Sequence, residues 1–122
     1  MNSDALDTVR TYHLAWTSGD FGRATTLLAE DLAVEVPLNE YAGKADFAEA
    51  LRSFGAAATD VRLLGALAGG ESDACLIYDM DVASLGTLRV AEHFLVADDR
   101  IVRIRQIHDT ATLRRAGFGP PL

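Results

Sequence analysis

The sequence predicts an α+β domain in which three N-terminal helices cover the concave face of one curved, mainly antiparallel sheet, leaving a pocket at the open end of a cone. Three observations predict it. Apolar residues recur every three to four positions in the segments before Thr59 and every second position after it. The turn residues Gly69–Gly70, Gly86 and Asp98–Asp99 join the alternating segments over so few residues that antiparallel pairing must follow. Strands of that length twist and curl, so helices can pack only on the inside.

Each element has its own signal. Ser3 can cap a first helix running to about Ser18, with Ala5, Val9, Tyr12 and Trp16 on one stripe. Gly19 ends it. Asp20 caps a second helix whose stripe is Phe21, Ala24, Leu27 and Leu28. The β-branched run Leu32–Leu38, interrupted by Pro37, reads as a strand, and the segment with Tyr41 and Gly43 reads as a loop. A third helix buries Phe47, Ala50, Leu51 and Phe54. Four strands follow at about Asp60–Ala68, Ala74–Ser84, Thr87–Ala97 and Ile101–His108. Asp109 precedes a short final helix ending at Gly117, and helix capping accounts for it.

Composition narrows the class. The chain has 122 residues, enough for a single domain over 1–122, and 49% are apolar. Its net charge of −7, with basic residues adjacent only at Arg103/Arg105 and Arg114/Arg115, excludes a phosphate-binding surface, so neither nucleic acid nor an anionic membrane is an expected partner. No apolar run reaches the roughly 18 residues of a membrane span, and Met1–Arg10 lacks the basic-then-apolar layout of a secretion signal, so a cytoplasmic protein is expected. The single Cys75 excludes an internal disulfide and a cysteine-built metal site. The three histidines lack the i, i+4 spacing of a metal site, and no phosphate loop or Gly-x-Ser-x-Gly turn occurs. No metal or organic cofactor is expected.

Strand alternation picks out the polar candidates. In Thr87–Ala97 one face carries Leu88, Val90, Glu92, Phe94 and Val96, so Glu92 is the one carboxylate on an apolar face. A buried carboxylate is costly unless it is paired or protonated. The same reading puts Gln106 and His108 on the apolar face of the last strand, and a turn at Asp98–Asp99 sets Gln106 opposite Glu92, with His108 one step further along. Glu92 is therefore expected within hydrogen-bond or single-water reach of His108 or Tyr12. His13 reads as a boundary residue of the first helix. His93, Asp79 and Asp81 fall on the other face, solvated or at a subunit contact.

Several stretches carry a family resemblance. Val9-Arg-Thr-Tyr12, Gly19-Asp20-Phe21, Leu28-Ala-Glu-Asp31 and Val34-Glu-Val-Pro37 resemble the opening of ketosteroid isomerases. Glu92-His-Phe-Leu-Val96, Asp98-Asp-Arg-Ile-Val102 and Arg105-Gln-Ile-His-Asp109 resemble the last two strands of SnoaL-like cyclases, within the wider nuclear-transport-factor-2-like superfamily. The resemblance implies the cone fold, a small apolar, polyketide-like or steroid-like ligand, and a homodimer through the convex sheet face, where Ala91, His93 and Leu95 lie beside Cys75 and Ile77. It sets Tyr12 at the position of an oxyanion-binding tyrosine and Glu92 at that of a protonated acid. Val36 stands where the isomerases carry their general base, and Gln106 where the cyclases carry an aspartate; an epoxide-hydrolase-type set finds Asp79 and Asp81 but no matching arginine. The expected site is therefore Glu92, His108 and Tyr12 as proton-handling groups, walled by Gln106, Trp16, Val36, Phe54, Tyr78 and Phe94. Two functions compete: a cofactor-independent isomerase, cyclase or dehydratase, and a ligand-binding or dimerisation module that keeps the pocket without catalysis. An accessory subunit is a third.

Overall fold

The computed structural model describes residues 4–117. Helix α1 (Ala5–Thr17) begins where the Asp4 carboxylate accepts the Asp7 N–H at 2.9 Å. The Ser3 cap read from the sequence lies outside the described residues. Its stripe of Ala5, Val9, Tyr12 and Trp16 is buried as expected, and His13 is buried beside it. Helix α2 (Phe21–Thr26) is capped by Asp20, whose side chain accepts the Arg23 N–H at 3.1 Å.

Leu27 and Leu28 do not extend the stripe of α2. The Leu27 carbonyl takes the Ile101 N–H at 2.8 Å, which draws the chain out of the helix, and Leu28 opens strand β1 (Leu28–Val36). The segment after Pro37–Leu38 is also not a loop: Asn39–Ala42 forms strand β2, antiparallel to β1 from Val36↔Asn39 to Ala33↔Ala42. Gly43, at φ 92, donates its N–H to the Leu32 carbonyl at 2.7 Å and turns the chain into α3 (Lys44–Ala57). That helix buries Phe47 and Leu51, and the bare Gly55 lets the Phe21 ring of α2 lie against it.

Strands β3 (Ala58–Ala68), β4 (Asp73–Val82), β5 (Gly86–Ala97) and β6 (Arg100–Ile107) form the expected antiparallel meander. The sheet order is β2-β1-β6-β5-β4-β3, and β1 joins β6 in the sheet's single parallel pairing. Helices α1, α2 and α3 cover one side of the sheet, and α4 (Ala111–Arg115) follows β6 after Asp109 accepts the Ala111 N–H at 3.0 Å. Leu76, Glu92 and Gln106 stand opposite one another on the concave side; Ile77, Ala91 and Ile107 do so on the convex side. Tyr12, Tyr78, Phe94, Leu28, Leu32 and Ile104 are fully buried, each worth about 1.5–3 kcal/mol of apolar transfer.

Candidate functional site

Between the helices and the sheet lies a cavity of about 180 Å³. Tyr12 and Trp16 reach it from α1, Phe47, Leu51 and Phe54 from α3, and Val36 and Leu38 from the β1–β2 turn. Tyr78, Met80 and Val90 form its sheet wall, and Leu113 of α4 closes one side. Alternation on β5 and β6 brings Glu92 and Gln106 into this wall, as the register Glu92↔Gln106 requires. His108 lines it just beyond the end of β6.

Glu92 is 1% exposed. Its Oε1 accepts the Tyr78 hydroxyl proton at 2.8 Å, and its Oε2 accepts an N–H from Gln106 Nε2 at 2.9 Å. Burial pushes its carboxyl above the ordinary carboxylate range, against the opposing pull of the hydrogen bonds from Gln106 and Tyr78. Burial, and then the nearby Glu92 charge, holds the Tyr12 and Tyr78 phenols well above their ordinary value, so both act as neutral donors. The carboxyl group is thus the titratable centre of an apolar chamber, clamped on both oxygens.

Gln106 stands opposite Glu92 as the sequence predicts, whereas Tyr78 is a donor the sequence does not point to. The hydrogen bonds of Glu92 go to Tyr78 and Gln106, not to His108 or Tyr12, because Tyr78 lies diagonally across β4 on the same concave face. His108 turns its Nδ1 to the Asp109 carbonyl at 3.0 Å. Phe94 is no part of the cavity wall: it sits on the Tyr12 ring, centroids 5.9 Å apart, and faces Ile104 in the packed core. Tyr12, Trp16, Val36, Phe54, Tyr78, Gln106, His108 and Glu92 all line the cavity. The sequence reading did not place Phe47, Leu51, Met80 and Val90 in the wall, and it missed Leu38, Tyr41 and Leu113 altogether. Tyr41 and Leu38 were hidden by the unread strand β2, and Leu113 by a helix too short to show a stripe.

His13 is not at a boundary. It is 6% exposed, stacked 4.8 Å from Tyr78 and 5.3 Å from Trp16, and its Nδ1 has no partner. Burial lowers its pKa to about 4, so it is neutral at pH 7. Asp79 and Asp81 lie away from the cavity in ion pairs with Arg89 (2.8 Å) and Arg62 (2.9 Å). His93 pairs with Asp73 at 3.0 Å on that same convex side. Among the described residues no group of three His, Cys, Asp or Glu side chains could hold a metal, and no helix is long and apolar enough to cross a membrane.

The fold has relatives. A protein of Kribbella flavida DSM 17836 is 30% identical, with a TM-score of 0.87 over 94% of each chain. An NTF2-like protein of Cytophaga hutchinsonii ATCC 33406 shares the fold at 17% identity and a TM-score of 0.78, over 93% of this chain and 97% of its own. A steroid delta-isomerase of Pseudomonas aeruginosa does so at 18% identity and a TM-score of 0.76, over 95% and 93%. No curated protein matches the chain in sequence. The SnoaL-like domain model matches residues 9–104, which takes in both helical walls and most of the sheet that carries Glu92, and the chain belongs to that SnoaL-like family.

Proposed function

We propose that this protein is a cofactor-independent acid/base enzyme, an isomerase, cyclase or dehydratase, acting on a small and largely apolar molecule. One observation carries the reading: a carboxyl group 1% exposed, clamped by Tyr78 and Gln106, faces a largely apolar cavity that also holds the His108 ring. In the step this suits, Glu92 gives its proton to a substrate carbonyl oxygen while the His108 ring takes a proton from the adjacent carbon. An enol forms, with Glu92 ionised and His108 protonated. Return of the two protons, one to a different carbon, isomerises the molecule and restores both groups. Tyr12 and Gln106 orient the oxygen.

Proton exchange is the direct test. With enolisable cyclic ketones in D₂O, nuclear magnetic resonance should record exchange next to the carbonyl, and Glu92→Gln should slow it by about 10²–10⁴-fold. Exchange unchanged in that variant rejects Glu92 as the proton carrier. A second reading, a binding module without catalysis, is favoured by Val36 and Gln106 at positions where the resemblance implies acids; saturable binding without exchange supports it.

Two further proposals concern setting. The protein pairs with a second copy through the convex sheet face, supported by exposed Ile107 and Leu67 beside Ile77, Ala91 and Cys75, and by charges already neutralised as ion pairs within that face. It works in the cytoplasm, where one unpaired cysteine is at home.

A further inference from the structure

The geometry points to an electrically neutral molecule of a single ring, carrying one carbonyl or hydroxyl oxygen, as the ligand of this cavity. The inference rests on the cavity being the substrate site, as proposed above, and concerns what that site selects.

Size is the first constraint. A cavity of about 150 Å³ holds benzene, so the 180 Å³ here suits about seven to ten non-hydrogen atoms. A four-ring steroid nucleus has roughly twice that number and would leave about half of itself outside the cavity. The β1–β2 turn adds to the restriction. Leu38 sits at φ 78, a conformation where glycine is at home and a branched side chain is strained. After Pro37 this is the third position of a two-residue hairpin turn, which favours glycine. A leucine held there against that preference places its side chain in the cavity wall, where glycine would leave room.

Charge and polarity set the rest. Among the described residues the cavity wall holds no lysine or arginine, and Glu92 is its single carboxyl group, so an anionic ligand would meet only the His108 ring as a possible cation, and a cationic one would meet a carboxyl whose burial favours its neutral form. Tyr78 and Gln106 already donate to both Glu92 oxygens, which leaves the carboxyl one O–H to donate when protonated and at most about two acceptor sites when ionised. Protonated, it donates to a carbonyl; ionised, it accepts from a hydroxyl. Gln106 spends one of its two amide N–H groups on Glu92, so its second N–H and its amide oxygen remain at the same end. One oxygen on an apolar ring matches this set.

Trp16 is the only tryptophan and lines the cavity, so its fluorescence reports occupancy without any turnover. The probes are cyclohex-2-enone, 1-decalone, progesterone, benzoate and benzylamine. Cyclohex-2-enone should give a saturable change, with benzoate and benzylamine at least tenfold weaker and progesterone without effect. Leu38→Gly should strengthen 1-decalone binding at least fivefold while cyclohex-2-enone changes less than twofold; Leu38→Ala serves the same purpose if the glycine variant does not fold. Progesterone binding as tightly as cyclohex-2-enone overturns the size limit. Equal binding of benzoate or benzylamine overturns neutrality, and no response to any ring ketone overturns the assignment. Catalysis fails separately: a protein that binds cyclohex-2-enone but shows no Glu92-dependent exchange refutes the acid/base reading and leaves the ligand class standing.

Discussion

Glu92 and His13 are both inside the protein, and burial acts on them with opposite sign. For His13 the folded pKa, about 4, lies below the ordinary 6.5. Between those values the unfolded chain binds the extra proton, so stability falls as pH drops from 6.5 to 4, by at most roughly 3.5 kcal/mol. Denaturant melts across that window should show the slope, and His13→Leu should flatten it. Trp16 and Tyr78 are the rings that face His13, and neither carries charge there. Glu92 behaves the other way. Its folded pKa is raised by burial, so its contribution is complete below the unfolded carboxylate pKa and is lost as pH rises through the folded value. Glu92→Gln should therefore raise the melting temperature at pH 8 relative to wild type while slowing proton exchange; a lower melting temperature at pH 8 would mean that the hydrogen bonds from Tyr78 and Gln106 outweigh burial. Glu92 and Gln106 were legible from alternation and one turn. Tyr78 as the direct donor was not, because a diagonal contact depends on the β4–β5 register, which the Gly86 turn leaves open by a residue.

At the scale of elements, short caps hold short helices. Helix α2 has six residues, too few to be stable alone, and starts on the Asp20 carboxylate. Asp20→Ala should cost about 1 kcal/mol and lower the melting temperature by a few degrees, measured by circular dichroism. The strongly patterned elements α1, α3 and β4–β6 were readable because each has one face turned to the core; β3 buries no residue fully and was readable from the Gly69–Gly70 turn that ties it to β4. Strand β2 was not, since three of its four residues face solvent and leave no alternation to see. The boundary between α2 and β1 was misread for a related reason: apolar residues at 27 and 28 satisfy a helical stripe and a buried strand equally, and the Ile101 N–H decides between them from across the sequence.

Over the whole molecule, the concave side makes the cavity and the convex side makes the surface on which copies are proposed to pair. Ile107 is 72% and Leu67 59% exposed there, more apolar area than a solvated sheet face needs. Light scattering at micromolar concentration should give a dimer mass for the wild type, and Ile107→Lys should shift it to a monomer without disturbing the fold. A wild-type monomer would remove the proposed interface and leave the cavity argument untouched.

Periodicity, turn residues and charge were enough to determine the class of fold, the curvature of the sheet and the one apolar face that carries a carboxylate, because each is a local property with a short repeat. The tertiary structure decided what local patterns do not encode: the parallel pairing of β1 with β6, which no turn connects; the burial of His13 against Tyr78 and Trp16; and the exclusion of Phe94 from the cavity. It also decided that Glu92 is held by Tyr78 and Gln106, since contacts across strands depend on register and on how deep each side chain lies.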